Sequence, residues 1–153
     1  MAEWMRIRNE NDFRTFTKGL GNNTLLIRGP DGYHNMIGYV RVDEGRGYFV
    51  SNGRVAVAKQ YKMLVIKGNS TKFQWYYLRE GEYLPPDAFV SGRTYNGSKP
   101  VYIGKTTVDG EVLYGRVRQS SVPVLAVAVT RNRRRVDFAY SFYVLVQPGV
   151  VGF

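Results

Sequence analysis

The 153-residue sequence has no cysteine and a single histidine. The first absence removes disulfides, thiolate nucleophiles and cysteine-ligated metals together, and a metal site built from His and Cys is nearly excluded by count. His34 lies in a Gly-rich turn without a Ser or Asp at telling spacing, so it reads as a surface histidine rather than part of a catalytic dyad. Long apolar runs are missing as well. No stretch approaches the roughly 18 apolar residues of a membrane span, and the opening MAEWMRIRNE places charges where a secretory leader needs its apolar segment. No transmembrane segment is expected; the expected location is the cytoplasm, or outside the cell by release without a classical signal peptide. No GxxxxGK[ST] or HExxH run occurs, and the close carboxylates Asp109 and Glu111, or Asp43 and Glu44, have no marked counterpart. The expectation is therefore a protein that is not an enzyme and takes no cofactor.

Acidic residues are scarce relative to basic ones, 12 against 22, for a formal charge of +10. That balance favours anionic partners: nucleic acid, acidic lipid headgroups, or sulfated and sialylated glycans. A soluble surface with excess Lys and Arg explains the same number. RNRRR carries Arg131, Arg133, Arg134 and Arg135 between two apolar stretches, and reads either as an anion patch for phosphate or sulfate or as a solvated hairpin tip.

What the chain does have is turns. GLGNN, RGPDG, DEGRG, SNG, YNG and VDG separate short stretches rich in Val, Ile, Tyr and Phe, among them TLLIRG, RGYFVS, RVAVAKQY, KMLVIK, KPVYIGK, GEVLYGRV, VPVLAVAV, RVDFAYS and FYVLVQ. No stretch reads as a long helix, so the fold class is all-β. VPVLAVAV, apolar on both faces, is expected in the middle of a sheet or between sheets.

The stretches recur in order. Glu3-Trp4 is matched by Gln74-Trp75; each Trp is followed by a charged stretch, a Gly (Gly19, Gly92), a strand with LLI or VYI, a Gly-centred strand (IGYVRV, YGRVRQ) and an ending in YKMLV or FYVLV. The chain reads as a single domain, 1–153, of two pseudo-symmetric, intertwined antiparallel β repeats sharing one core: a degenerate repeat at 4–66 and a better-matched one at 75–147. Each half is too short to bury much alone. Trp75, Tyr76, Tyr77, Tyr83, Tyr95, Tyr102 and Tyr114 offer a stacking face for sugar rings or unpaired bases, although most are expected in the core, with Trp4 and Trp75 as core landmarks.

From Trp75 onward the run LPPDAFVSG, NGSKPVYIGK, DGEVLYGRV and FYVLV resembles the DM-nine repeat, whose usual pattern is Trp, a Leu-Pro-x-x-Ala-Val turn, Gly-Gly-x-Asp, Tyr-Val-Gly-Arg, Gly-Glu or Gly-Asp, Pro-Gly-Lys and Tyr-Glu-Val-Leu. Tandem pairs occur in invertebrate lectins of the oyster mannose-specific type, and related repeats in natterin-like proteins. The resemblance implies a carbohydrate-binding, lectin-like protein of innate-immune type, often a homodimer, holding a mannose-type hexose in each repeat by an Asp, a later acidic residue and a Lys. At those positions the second repeat has Thr94, Glu111 and Arg116, with Lys105 as a possible flanking group; the first has Gly21 or Asn22, His34 and Tyr39.

Only Glu111 keeps the usual chemistry. A carboxylate on vicinal hydroxyls makes charge-assisted bonds of about 1.5–3 kcal/mol against about 1 for a Thr hydroxyl, so mannose affinity is expected to fall by about two orders of magnitude. The guanidinium of Arg116 suits carboxylate or sulfate, which shifts the expected preference toward anionic glycans. A site that has simply decayed, and a basic scaffold binding nucleic acid or acidic membranes, stay open at this point.

Overall fold

The structure, a computed structural model, describes residues 2–18, 24–29, 36–51, 54–66, 73–93, 99–108, 110–118, 125–129 and 136–149. The first half contributes β1 (Ala2–Ile7), α1 (Glu10–Thr17), β2 (Thr24–Arg28), β3 (Ile37–Arg41), β4 (Gly47–Ser51), β5 (Arg54–Ala58) and β6 (Tyr61–Ile66). The second contributes β7 (Gln74–Leu78), β8 (Gly92–Arg93), β9 (Pro100–Val101), β10 (Ile103–Val108), β11 (Glu111–Arg118), β12 (Leu125–Val129), β13 (Val136–Ala139) and β14 (Phe142–Val146).

Each half builds its own six-stranded antiparallel sheet. The first runs β1-β6-β2-β3-β4-β5; the second, read from its β7 edge, runs β7-β14-β10-β11-β12-β13. The succession is the same, with β7 in the place of β1, β14 of β6 and β10 of β2. Register agrees residue by residue: Trp4 stands opposite Leu64 as Trp75 stands opposite Leu145, and Ile27 opposite Gly38 as Gly104 opposite Gly115. β12, the VPVLAVAV strand, is interior to its sheet, as its two apolar faces suggested. KPVYIGK, which reads as one strand, is broken at Tyr102: β9 pairs with β8 in a small separate ladder, and the Tyr102 carbonyl accepts from the Val117 amide at 3.1 Å.

The shared core is made of equivalent residues. Leu26 and Ile103 pack together with Ile37, Val101 and Leu145, surrounded by Trp4, Leu64, Trp75 and Tyr114. The other face of the first sheet, with Ile7, Ile27, Val40, Phe49, Tyr61 and Met63, is covered by Phe13 of α1. That helix fills the charged stretch after Trp4: Asn9 caps it by accepting from the Asp12 amide at 2.9 Å, Glu10 and Asp12 sit favourably in its first turn, and only Phe13 and Thr17, four apart, are buried. The second sheet has no helix there. Its face of Leu78, Phe142, Val144 and Val146 is covered by the LPPDAFV segment, through Leu84, Ala88 and Val90, which is pinned by Phe89 N–H to the Leu145 carbonyl and Gln147 N–H to the Asp87 carbonyl, both 2.8 Å.

Polar bonds tie the repeats together. The Thr24 hydroxyl donates to the Val112 carbonyl at 2.6 Å and Arg28 donates from Nη1 to the Ser91 carbonyl at 2.7 Å. β11 crosses β3, so Leu113 packs with Tyr39 and Tyr48. No helix among the described residues is long and apolar enough to cross a membrane.

Candidate ligand-binding site

Strand pairing in the second sheet puts four side chains from four strands in one row. Tyr77 of β7 is opposite Tyr143 of β14, Tyr143 opposite Lys105 of β10, and Lys105 opposite Tyr114 of β11. Opposite residues share a face, so the row is continuous. Trp75, two residues along β7 from Tyr77, lies on the same face. The rings of Tyr77 and Tyr143 are 5.0 Å apart; Lys105 Nζ stands 5.1 Å from the Tyr143 ring and 4.4 Å from the Trp75 ring; Trp75 and Tyr114 are 5.8 Å apart; and Arg79 lies over Tyr77 at 5.8 Å. One end is open, with Tyr77 44% and Tyr143 40% exposed, while Lys105, Trp75 and Tyr114 are half-buried.

Burial holds the Lys105 ammonium below the usual lysine range, with no countering carboxylate among the described residues. Among the described residues it forms no salt bridge; its neighbours are ring faces, each supplying about 0.5–2 kcal/mol of attraction to a cation. Arg116 shares this face, opposite Ile103, and its guanidinium is likewise lowered by burial. A half-buried cation, Lys105, beside exposed rings suits a ligand with an apolar ring face and an anionic or hydroxyl edge.

The structure does not assemble the cleft expected from Thr94, Glu111 and Arg116. Glu111 and Arg116 are five residues apart on one unbroken strand, and alternation sends them to opposite faces. Glu111 shares the face of Leu113 and Val117, and its carboxylate lies 3.9 Å from Arg41 of β3, an inter-repeat pair. Burial lowers Arg41, but Asp43, Glu111 and Glu44 outweigh it and leave the guanidinium raised. Tyr39 is fully buried against Tyr48, 5.9 Å between rings, and is a core residue rather than a ligand contact. Lys105, expected only to flank the site, is at the centre of the row. Thr94, His34, Gly21, Asn22 and the patch Arg131, Arg133, Arg134 and Arg135 lie outside the described residues, as does Tyr95.

Of the remaining aromatics, Tyr76 is on the opposite face, Tyr102 is buried and Tyr83 is 88% exposed. Tyr143 was missed by sequence reasoning. The signal was there: in FYVLV, Phe142, Val144 and Val146 form one buried face, which turns Tyr143 to the other. A cleft of about 730 Å³ beside α1 is lined by Ile7, Phe13, Glu44, Arg46 and Lys59 together with Arg8 and Arg14, whose charges are met by Asp12 at 3.1 Å and Glu10 at 2.6 Å. Its mixed charge selects no ligand class.

A model of the DM9 repeat matches residues 21–135, three quarters of the chain. The chain belongs to the DM9 repeat family. DM9 domains are known for carbohydrate-binding, lectin-like roles, and the family is one of binding domains rather than enzymes. No curated protein matches this DM9 chain.

Proposed function

We propose that this DM9 protein is a lectin that holds a mannose-type or anionic glycan on the aromatic row of its second repeat. A pyranose stacks its C–H face on Tyr77 and Tyr143, and Lys105, with Arg116 on the same face, receives a hydroxyl, carboxylate or sulfate. The carrying observation is the open Tyr77–Tyr143 pair beside a half-buried lysine that has no salt bridge among the described residues. Affinity at one such site is modest, and homodimerisation would supply avidity toward a glycan-coated surface. The charge of +10 favours a second reading, in which the same rings and cations hold single-stranded nucleic acid or an acidic membrane.

A glycan array of neutral mannose-type and sulfated or sialylated structures tests the lectin reading. The wild type is expected to give hits; Lys105→Met should weaken the anionic hits about tenfold, a charge-assisted bond's worth, and spare neutral ones. Glu111→Gln, on the other face, should leave all hits in place. An empty array together with salt-sensitive capture of single-stranded nucleic acid or acidic vesicles would favour the second reading.

A further inference from the structure

The aromatic row of the second repeat has a cation at each end. Lys105 closes the inner end. At the open end Arg79, just past the last residue of β7, lies 5.8 Å over the Tyr77 ring and leaves that ring 44% exposed. From Lys105 Nζ to the Tyr143 ring is 5.1 Å, and from that ring to Tyr77 is 5.0 Å, so each of the three steps is about the width of one sugar ring. Two stacking surfaces are bracketed by two positive charges.

The backbone at Arg79 is fixed while its side chain is exposed. Its amide donates to Glu82 Oε1 at 2.6 Å, its carbonyl accepts from the Glu82 amide at 3.0 Å, and the Glu80 amide donates to the Ser141 hydroxyl at 3.2 Å, next to β14. Gly81, at φ +87°, closes this turn. The Glu82 carboxylate is thus turned to the backbone, and among the described residues Arg79 forms no salt bridge. The equivalent position in the first repeat is Arg8, which follows Trp4 at the spacing at which Arg79 follows Trp75; there Asp12 of α1 meets the guanidinium at 3.1 Å. The second repeat has no helix after β7, so the same cation faces a ring and solvent instead.

We infer that Arg79 is a second anion-binding residue of the aromatic row, and that the row takes an acidic oligosaccharide with an oxyanion, sulfate or carboxylate, on each of two neighbouring sugars. This rests on the reading of the row as a glycan site and narrows it from one charged group to two. Tyr77 and Tyr143 hold the sugar faces; Lys105 takes the oxyanion at the inner end, and the planar fork of Arg79 takes the one at the open end. A ligand with a single charge meets only half of the arrangement.

Calorimetric titration of the full chain with four disaccharides tests this: one sulfated on both sugars, one with a uronate on both, one sulfated once, and the uncharged parent. At least one dianion is expected to bind about fivefold tighter than the monosulfate, and the comparison of the two dianions shows which oxyanion the site prefers. Arg79→Gln should weaken that dianion about fivefold, the loss of one exposed and salt-screened contact, and leave the uncharged parent unchanged. Arg46→Gln removes the same charge from the cleft beside α1 and should leave all four affinities within about twofold, which separates a local contact from the net charge of +10. Arg79 is exposed, so its variant is expected to keep the wild-type melting temperature. Dianion binding equal to wild type in Arg79→Gln, or weakened as much by Arg46→Gln, would overturn the inference; a loss of charged-sugar binding in Lys105→Met would then still uphold the lectin reading. Failure of all four sugars to bind would remove that reading, and this inference with it.

Discussion

Gly38→Ala is expected to leave the protein unfolded or insoluble. A Cβ at position 38 would fall far inside contact distance of the Tyr48 carbonyl oxygen on the neighbouring strand and also reach 3.0 Å from the Phe49 ring. A backbone atom inside a ladder cannot step aside as a flexible side chain can. β3 would have to part from β4, and with them Tyr39, Tyr48 and Phe49, all buried. Overpacking alone costs about 1–3 kcal/mol, and the lost pairing adds to it, which approaches the whole stability of a domain this size. The control is Gly110→Ala in the β10–β11 turn. Its φ of +79° disfavours a side chain, but nothing lies within 4 Å, so a loss of about 1 kcal/mol is expected. Urea unfolding of both variants checks this; a Gly38→Ala protein as stable as Gly110→Ala would mean that β3 and β4 are not paired in this register.

The second large effect concerns binding without folding. Tyr143→Ala should lower affinity for a stacked glycan by about tenfold to thirtyfold, the worth of one ring face at about 1.4–2 kcal/mol. Tyr143 is the ring that touches both neighbours, Tyr77 at 5.0 Å and Lys105 at 5.1 Å, so its removal empties the middle of the row. Its 40% exposure keeps the stability cost to that of a cross-strand pair, about 0.2–1 kcal/mol. Trp75→Ala is the wrong variant for this purpose. Trp75 packs against the shared core of Ile103 and Leu145, so a binding defect there could not be separated from a folding defect.

The all-β class and the two repeats were legible because turn residues and apolar stretches alternate through the whole chain, and the Trp and Gly landmarks recur in order. The short helix was not. Its face holds only Phe13 and Thr17, too little periodicity to stand out from a charged stretch. For the site, the alternation rule alone separates Glu111 from Arg116, since an odd spacing on one strand means opposite faces; the family pattern had placed them together by aligning ligand positions without asking about parity. The row itself could not be read from the sequence. Tyr77, Lys105, Tyr114 and Tyr143 come from four strands, and only the sheet order and register bring them side by side.

The central claim is that a glycan rests on the row containing Tyr143 and Trp75. Replacing Trp4 with Phe leaves Trp75 as the sole indole, since the chain has two tryptophans. Titrating that protein with a glycan that the array identifies should give a saturable change in Trp75 emission, weakened in step with affinity when Tyr143→Ala is added. Saturable binding by calorimetry with Trp75 emission unmoved, and with the same affinity after Tyr143→Ala, would contradict the claim.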